Sequence, residues 1–176
     1  MRPVRFLLLL ALCLATSVRS QTRPYCVPYR ELRVGGVTFG DRIATVRRRL
    51  GSPQRVDSTW SEADGGGYRV LVYHYGGLGI SFGRGRVEAV DVSDSTAATP
   101  SGVRVGQTLE EVGRRLGVDL RGLGSRRWEP SVCGESDVTS TGFRVTFSNP
   151  RGPFDPPPSV PVVRRVASIH IEQYGP

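Results

Sequence analysis

The sequence predicts an α+β protein built as two tandem units, each one helix followed by an antiparallel β-meander of about four strands. Three observations predict it: an internal repeat, helical apolar spacing early in each copy, and alternating apolar residues after it. Gly36-Val-Thr-Phe-Gly-Asp-Arg-Ile-Ala-Thr-Val-Arg-Arg-Arg-Leu-Gly51 lies over Gly102-Val-Arg-Val-Gly-Gln-Thr-Leu-Glu-Glu-Val-Gly-Arg-Arg-Leu-Gly117 at an offset of 66, with 8 of 16 positions identical. Gly77-Leu-Gly-Ile-Ser-Phe82 matches Gly142-Phe-Arg-Val-Thr-Phe147 at offset 65, and Arg86-Val-Glu-Ala-Val-Asp-Val92 matches Arg165-Val-Ala-Ser-Ile-His-Ile171 at offset 79. Trp60 and Trp128 fall at roughly equivalent places. The order of these blocks divides the chain into a leader at 1–20, an arm at 21–34, a first unit at 35–94, a polar linker at 95–101 and a second unit at 102–173.

Each unit opens on a helix. Asp41 in the first copy and Thr108 in the second can accept hydrogen bonds from the free N–H groups of a helix start. Ile43, Val46 and Leu50 share one helical face, as do Leu109, Val112 and Leu116. Gly51 and Gly117 stop the two helices. Arg47, Arg48, Arg49, Arg114 and Arg115 occupy the last turns, where cations complement the helix dipole. Strands are predicted at 54–60 and 68–75 around the turn-rich 63–67, then at 78–82 and 86–92 around Arg84-Gly85. In the second unit the last turn is replaced by a Pro-rich loop at 148–161, which no central strand can contain.

Residues 1–20 read as an export signal. Arg2 and Arg5 precede an apolar run at 6–15, and Val18-Arg-Ser20 offers a cleavage site. That run is shorter than the roughly 20 residues a bilayer requires, so no transmembrane segment is predicted and the periplasm or the medium is the expected location. An uncleaved anchor is the competing reading. Lipidation at Cys13 is disfavoured by the bulky Leu12 before it. Removal of the leader leaves Cys26 and Cys133, which an oxidising compartment would join as a disulfide; two free thiols are the alternative.

The 176 residues exclude large barrel enzymes, and 22 Gly with 13 Pro exclude a long helical bundle. The formal charge is +8, carried wholly by Arg. Without Arg2, Arg5 and Arg19, 21 basic residues against 16 acidic ones leave +5. Such an excess favours anionic partners through long-range attraction. It also fits a GC-rich genome and a solvated surface.

Val105-Gly-Gln-Thr-Leu-Glu-Glu-Val-Gly-Arg-Arg-Leu-Gly117, followed by strands ending in Arg165-Val-Ala-Ser-Ile169, resembles the SmpA/OmlA (BamE-type) and β-lactamase-inhibitor-protein-like superfamily. The resemblance covers about residues 33–173. It implies a small helical element before a curved antiparallel sheet, in tandem as in the inhibitor proteins, and an exported, non-catalytic binding module. BamE-type members are usually single-unit lipoproteins, which this chain does not match.

Catalytic grammar is sparse. His74 and His170 are the only imidazoles, both in predicted strands, and neither HExxH nor paired CxxC occurs. Glu110 and Glu111 are adjacent helical residues that point apart. No catalytic residue, metal or cofactor is expected, and export argues against nucleic acid. The expected function is protein binding, inhibitor-like or accessory to envelope assembly, with an unidentified protein partner. Trp60, Tyr73, Tyr75 and Trp128 are the expected contact residues, since Tyr and Trp dominate interface hot spots. The alternative is an anionic envelope lipid or polyanion held by Arg47, Arg48, Arg49, Arg114, Arg115, Arg126 and Arg127. An unrecognised hydrolase using His74 is the third reading.

Overall fold

The computed structural model describes residues 26–62, 66–121, 123, 127–133, 141–148 and 163–173. The leader, Arg126 and most of the Pro-rich loop lie outside these residues. The elements run β1 (Cys26–Val27), a 3-10 turn (Tyr29–Leu32), α1 (Ile43–Leu50), β2 (Arg55–Ser61), β3 (Tyr68–Tyr75), β4 (Leu78–Gly83), β5 (Arg86–Val92), α2 (Leu109–Leu116), β6 (Arg127–Trp128), β7 (Ser131–Val132), β8 (Thr141–Phe147) and β9 (Val166–Gln173).

The expected pair of helix-plus-four-strand units is not what forms. The protein is mostly β, with one seven-stranded antiparallel sheet in the order β2-β3-β4-β5-β9-β8-β6 and a two-stranded parallel sheet of β1 and β7. Among the described residues the α-helices are two, of eight residues each. The second half departs from a meander for a local reason. Pro130, which has no N–H to offer a ladder, sits between β6 and β7, and β6 does not continue through it. β7 then leaves the large sheet and pairs with β1, beside the Cys26–Cys133 bond.

The sequence repeat survives as repeated contacts. Val87 N donates to Asp41 O, and Val166 N to Gln107 O. Arg86 donates to the Gly40 carbonyl at 3.0 Å, and Arg165 to the Gly106 carbonyl at 2.8 Å. Arg49 reaches Gly36 O and Arg115 reaches Ser101 O. Asp91 and His170, equivalent at offset 79, face each other where β5 and β9 pair.

The two helices start differently. Thr108 and Glu111 form a reciprocal capping box on α2, the kind of cap whose loss costs about 1 kcal/mol. At α1 the expected cap, Asp41, is displaced by one residue. Arg42 takes the N-cap position without a side-chain bond, and the Asp41 carboxylate instead accepts from Thr38 N and pairs with Arg49 at 2.5 Å. Arg42 is also the residue that aligns with Thr108 at offset 66.

One face of the sheet carries the core. Leu78, Ile80 and Phe82 of β4, Val87, Val90 and Val92 of β5, Ile169 and Ile171 of β9, and Phe143, Val145 and Phe147 of β8 are all buried there, in register across the strands. Val46 of α1 and Val112 of α2 belong to the same apolar cluster. The N-terminal arm is part of it as well, through Val27, Leu32 and Val34. Glu31 is fully buried in this arm; its carboxylate accepts from Ser101 Oγ at 2.7 Å and Ser101 N at 3.2 Å, tying the arm to the linker. The β4–β5 hairpin turns through Arg84 at φ 52° and Gly85 at φ 78°, the left-handed pair that matches strand twist.

Candidate functional site

β2 is one edge of the seven-stranded sheet, paired to β3 across all seven residues from Arg55 to Ser61. Its residues are exposed along almost the whole strand. Val56, Ser58 and Trp60 lie opposite Tyr73, Leu71 and Arg69, so they extend the core face beyond the reach of the core. Val56 is 49% exposed and Trp60 is 64% exposed. The Trp60 ring is seated over Gly67, where an added Cβ would come within 2.0 Å of the indole nitrogen. Glycine at 67 therefore holds the indole in place at the strand end.

The four aromatic residues expected to make contacts divide accordingly. Trp60 is on the surface. Trp128 is not: it is 2% exposed and meets Phe143 edge to face at 6.2 Å. Tyr73 and Tyr75 share their face with Ile80 and Leu78 rather than standing on the open side of the sheet. Tyr73 packs edge to face on Phe82 at 5.0 Å, and both tyrosines are partly buried against the core. Burial pushes the Tyr75 phenol above its ordinary value, and its hydroxyl has no hydrogen-bond partner among the described residues.

The arginines also divide. Arg47, Arg48 and Arg114 are exposed on the helices. Arg49 and Arg115 are committed to backbone carbonyls, as given above. Arg127 lies on β6, opposite Thr146. Beside the end of α2 a cleft of about 360 Å³ is lined by Glu110, Arg114, Val118, Leu120 and the Asp119–Arg121 ion pair. Hydrogen bonds from the Arg121 guanidinium and then from its backbone N–H hold the Asp119 carboxyl down at about 2.

Sequence reasoning missed a charged cluster on the other face of the sheet. His170 Nδ1 lies 2.5 Å from Asp91, and its Nε2 lies 3.1 Å from Glu172. Arg144 continues the chain to Glu172 at 3.8 Å and to Glu129. Nearer β2, His74 and Arg55 share the Asp57 carboxylate at 2.9 and 2.8 Å. The offset that makes Asp91 and His170 equivalent was the only sequence signal for the first cluster. Among the described residues, the side chains bonded to the two imidazoles are Asp91 and Glu172 at His170, and Asp57 and Arg55 at His74. No group of three or more His, Cys, Asp or Glu that could hold a metal occurs among the described residues.

The hydrogen bond to Asp91 raises the His170 pKa above the ordinary 6.5, with Glu172 adding and burial opposing. The imidazolium therefore contributes stability that is fully present below 6.5 and is lost as pH rises through the raised value. The thermal midpoint is expected to fall as pH climbs from about 6 through the raised value, and His170→Gln is expected to flatten that decline. Parallel melting-pH profiles for the two proteins would exclude the role.

The site thus belongs to a disulfide-bridged, mostly β domain in which, among the described residues, no strand pairs with the outer side of β2. Cys26 and Cys133 are bonded, as an oxidising compartment permits, and no described helix is long and apolar enough to cross a membrane. No family model matches the chain, and no curated protein matches it. Among solved structures it is similar to the uncharacterised protein YfeY of Escherichia coli, at 19% identity and a TM-score of 0.47 over 79% of this chain and 94% of that one. It is also similar to an extracellular protein containing an SCP domain from Bacillus anthracis, at 13% identity and a TM-score of 0.39 over 76% and 43% of the two chains.

Proposed function

We propose that this protein is an exported, non-catalytic protein-binding module whose contact strip is the β2 edge. The observation that carries this reading is the pair Val56 and Trp60, large exposed apolar side chains on a strand whose outer side meets no other strand among the described residues. Apolar groups on an exposed edge favour a protein surface, which covers them and satisfies the strand's outward N–H and C=O groups. The leader, with its charged start and apolar run, and the disulfide support export. Binding of an anionic lipid or polyanion is the weaker reading, because Arg49 and Arg115 already donate to carbonyls within their own chain. Exposed Arg47, Arg48 and Arg114 are what that reading retains.

The test is an affinity capture with the oxidised mature chain, residues 21–176, as bait and the envelope and medium fractions of its own cells as prey. Trp60→Ala is expected to abolish capture of a stoichiometric protein while shifting stability by no more than about 0.5 kcal/mol, as surface changes do. Capture by both the wild-type and Trp60→Ala proteins would place the contact elsewhere. Recovery of polyanion or lipid alone, released as salt rises, would replace the reading with the arginine one.

A further inference from the structure

We propose that the partner at this edge is a second copy of the chain, paired antiparallel through β2 about a two-fold axis at Ser58. The inference rests on reading β2 as the contact strip and adds what occupies it. Isolated edge strands are normally guarded by shortness, by unpaired charged side chains, by Pro, or by a bulge. The opposite edge of this sheet follows that rule, since β6 has only two residues. β2 does not: it runs for seven residues, contains no Pro, pairs with β3 without a register shift, and its two charges, Arg55 and Asp57, are paired with each other at 2.8 Å. Among the described residues, no strand pairs with its outer side.

The strand is complementary to itself in one register. A two-fold axis perpendicular to the sheet keeps like faces together, so residues pair about a central residue. With Ser58 at the centre, Val56 faces Trp60 of the second copy and Trp60 faces its Val56. Both exposed apolar side chains of each strand are then covered on the same face. On the other face Arg55 meets Ser61 and Asp57 meets Thr59, so no like charges stand directly opposite, and each Asp57 keeps its own Arg55 at 2.8 Å. All seven residues find a partner. Centring the axis on Asp57 would set two carboxylates opposite each other, and centring it on Thr59 would set Val56 against Glu62. The two sheets become one fourteen-stranded sheet, and the β2 edges are removed from solvent.

The geometry gives a direct test on the mature, oxidised chain. Directly opposed residues in an antiparallel pair have Cα atoms about 4.5–5.5 Å apart, within the range a disulfide spans. Ser58→Cys is expected to form an interchain disulfide on mild oxidation. Ser61→Cys is not, because its copy lies six residues along the partner strand, about 20 Å away. Sedimentation is expected to show a wild-type dimer. Arg69 Nη2 donates to Ser58 Oγ at 3.0 Å; Ser58→Asp, which leaves an acceptor for it but opposes two carboxylates on the axis, is expected to raise the dissociation constant at least tenfold. A monomer at all concentrations up to about 1 mM would overturn the proposal. So would equal cross-linking of the two cysteine variants, or a dimer indifferent to Ser58→Asp. A monomer that still captures another protein in a Trp60-dependent way would overturn the second copy as occupant while leaving β2 as the contact strip.

Discussion

Trp128→Ala is expected to destabilise the protein by about 3–5 kcal/mol, the usual cost of emptying a large aromatic site in a packed core. Trp128 is 2% exposed, stands opposite Val145 and meets Phe143 edge to face. Its β-strand is only two residues long, so little backbone pairing holds this edge if the side chain goes. Truncation removes the indole area from the core and leaves a cavity that two-residue β6 can close only by detaching from β8. Trp128→Phe is expected to lose much less. The phenyl ring keeps the contact with Phe143 and removes an indole N–H that is buried with no acceptor among the described residues. Chemical denaturation of the two variants reads the difference directly. A small loss for Trp128→Ala would mean that this corner of the sheet repacks freely. The contrast with Trp60→Ala separates a core tryptophan from a surface one at sequence-equivalent places.

The second large effect is loss of the disulfide. Cys26 and Cys133 are 107 residues apart. Closing a loop of that size restricts the unfolded chain by about 4–5 kcal/mol in the chain-entropy account, and removing native bridges commonly costs about 2–5 kcal/mol. The double variant Cys26→Ala, Cys133→Ala is therefore expected to unfold at lower denaturant concentration by an amount in that range. Its fold is expected to persist, because the arm is also held by Val27 and Leu32 in the core and by the Glu31 carboxylate on Ser101. Denaturation of oxidised and reduced wild-type protein side by side checks both statements. Equal midpoints would show that the unfolded chain gains no freedom when the bond opens.

The variants also show where sequence reasoning carried and where it stopped. Local signals were legible because they depend on neighbours in the chain. The apolar spacing of Leu109, Val112 and Leu116 and the Thr108 cap specify α2 within a dozen residues, and Gly117 ends it in the left-handed conformation. The strand limits at 68–75 and 86–92 follow from alternation and from the Arg84-Gly85 turn. Asp41 was misplaced as a cap by one residue, although Arg42 aligned with Thr108, because a carboxylate is the better acceptor in isolation. What isolation hides is Arg49, eight residues on, which takes that carboxylate for an ion pair.

The candidate site was half legible. Trp60 was named, but beside Tyr73, Tyr75 and Trp128, whose types are identical to surface contact residues and whose positions are in or against the core. A strand's period tells which residues share a face and not which face is covered. His170, Asp91 and Glu172 come together only because β5 and β9 pair, residues 79 apart in the case of Asp91 and His170.

By itself, the sequence determined the helices, the long strands of its first half, the residues able to form the disulfide and the positions of the repeated contacts. Each rests on local dihedral preference, apolar periodicity or an even cysteine pair. Only the tertiary structure decided that the strands form one sheet rather than two units, that β7 leaves it for β1, and that β2 stands at the sheet's edge among the described residues. Those outcomes depend on which strand edges find partners. Pairing satisfies backbone groups that every residue except proline carries alike, so side-chain pattern alone does not say which edges meet.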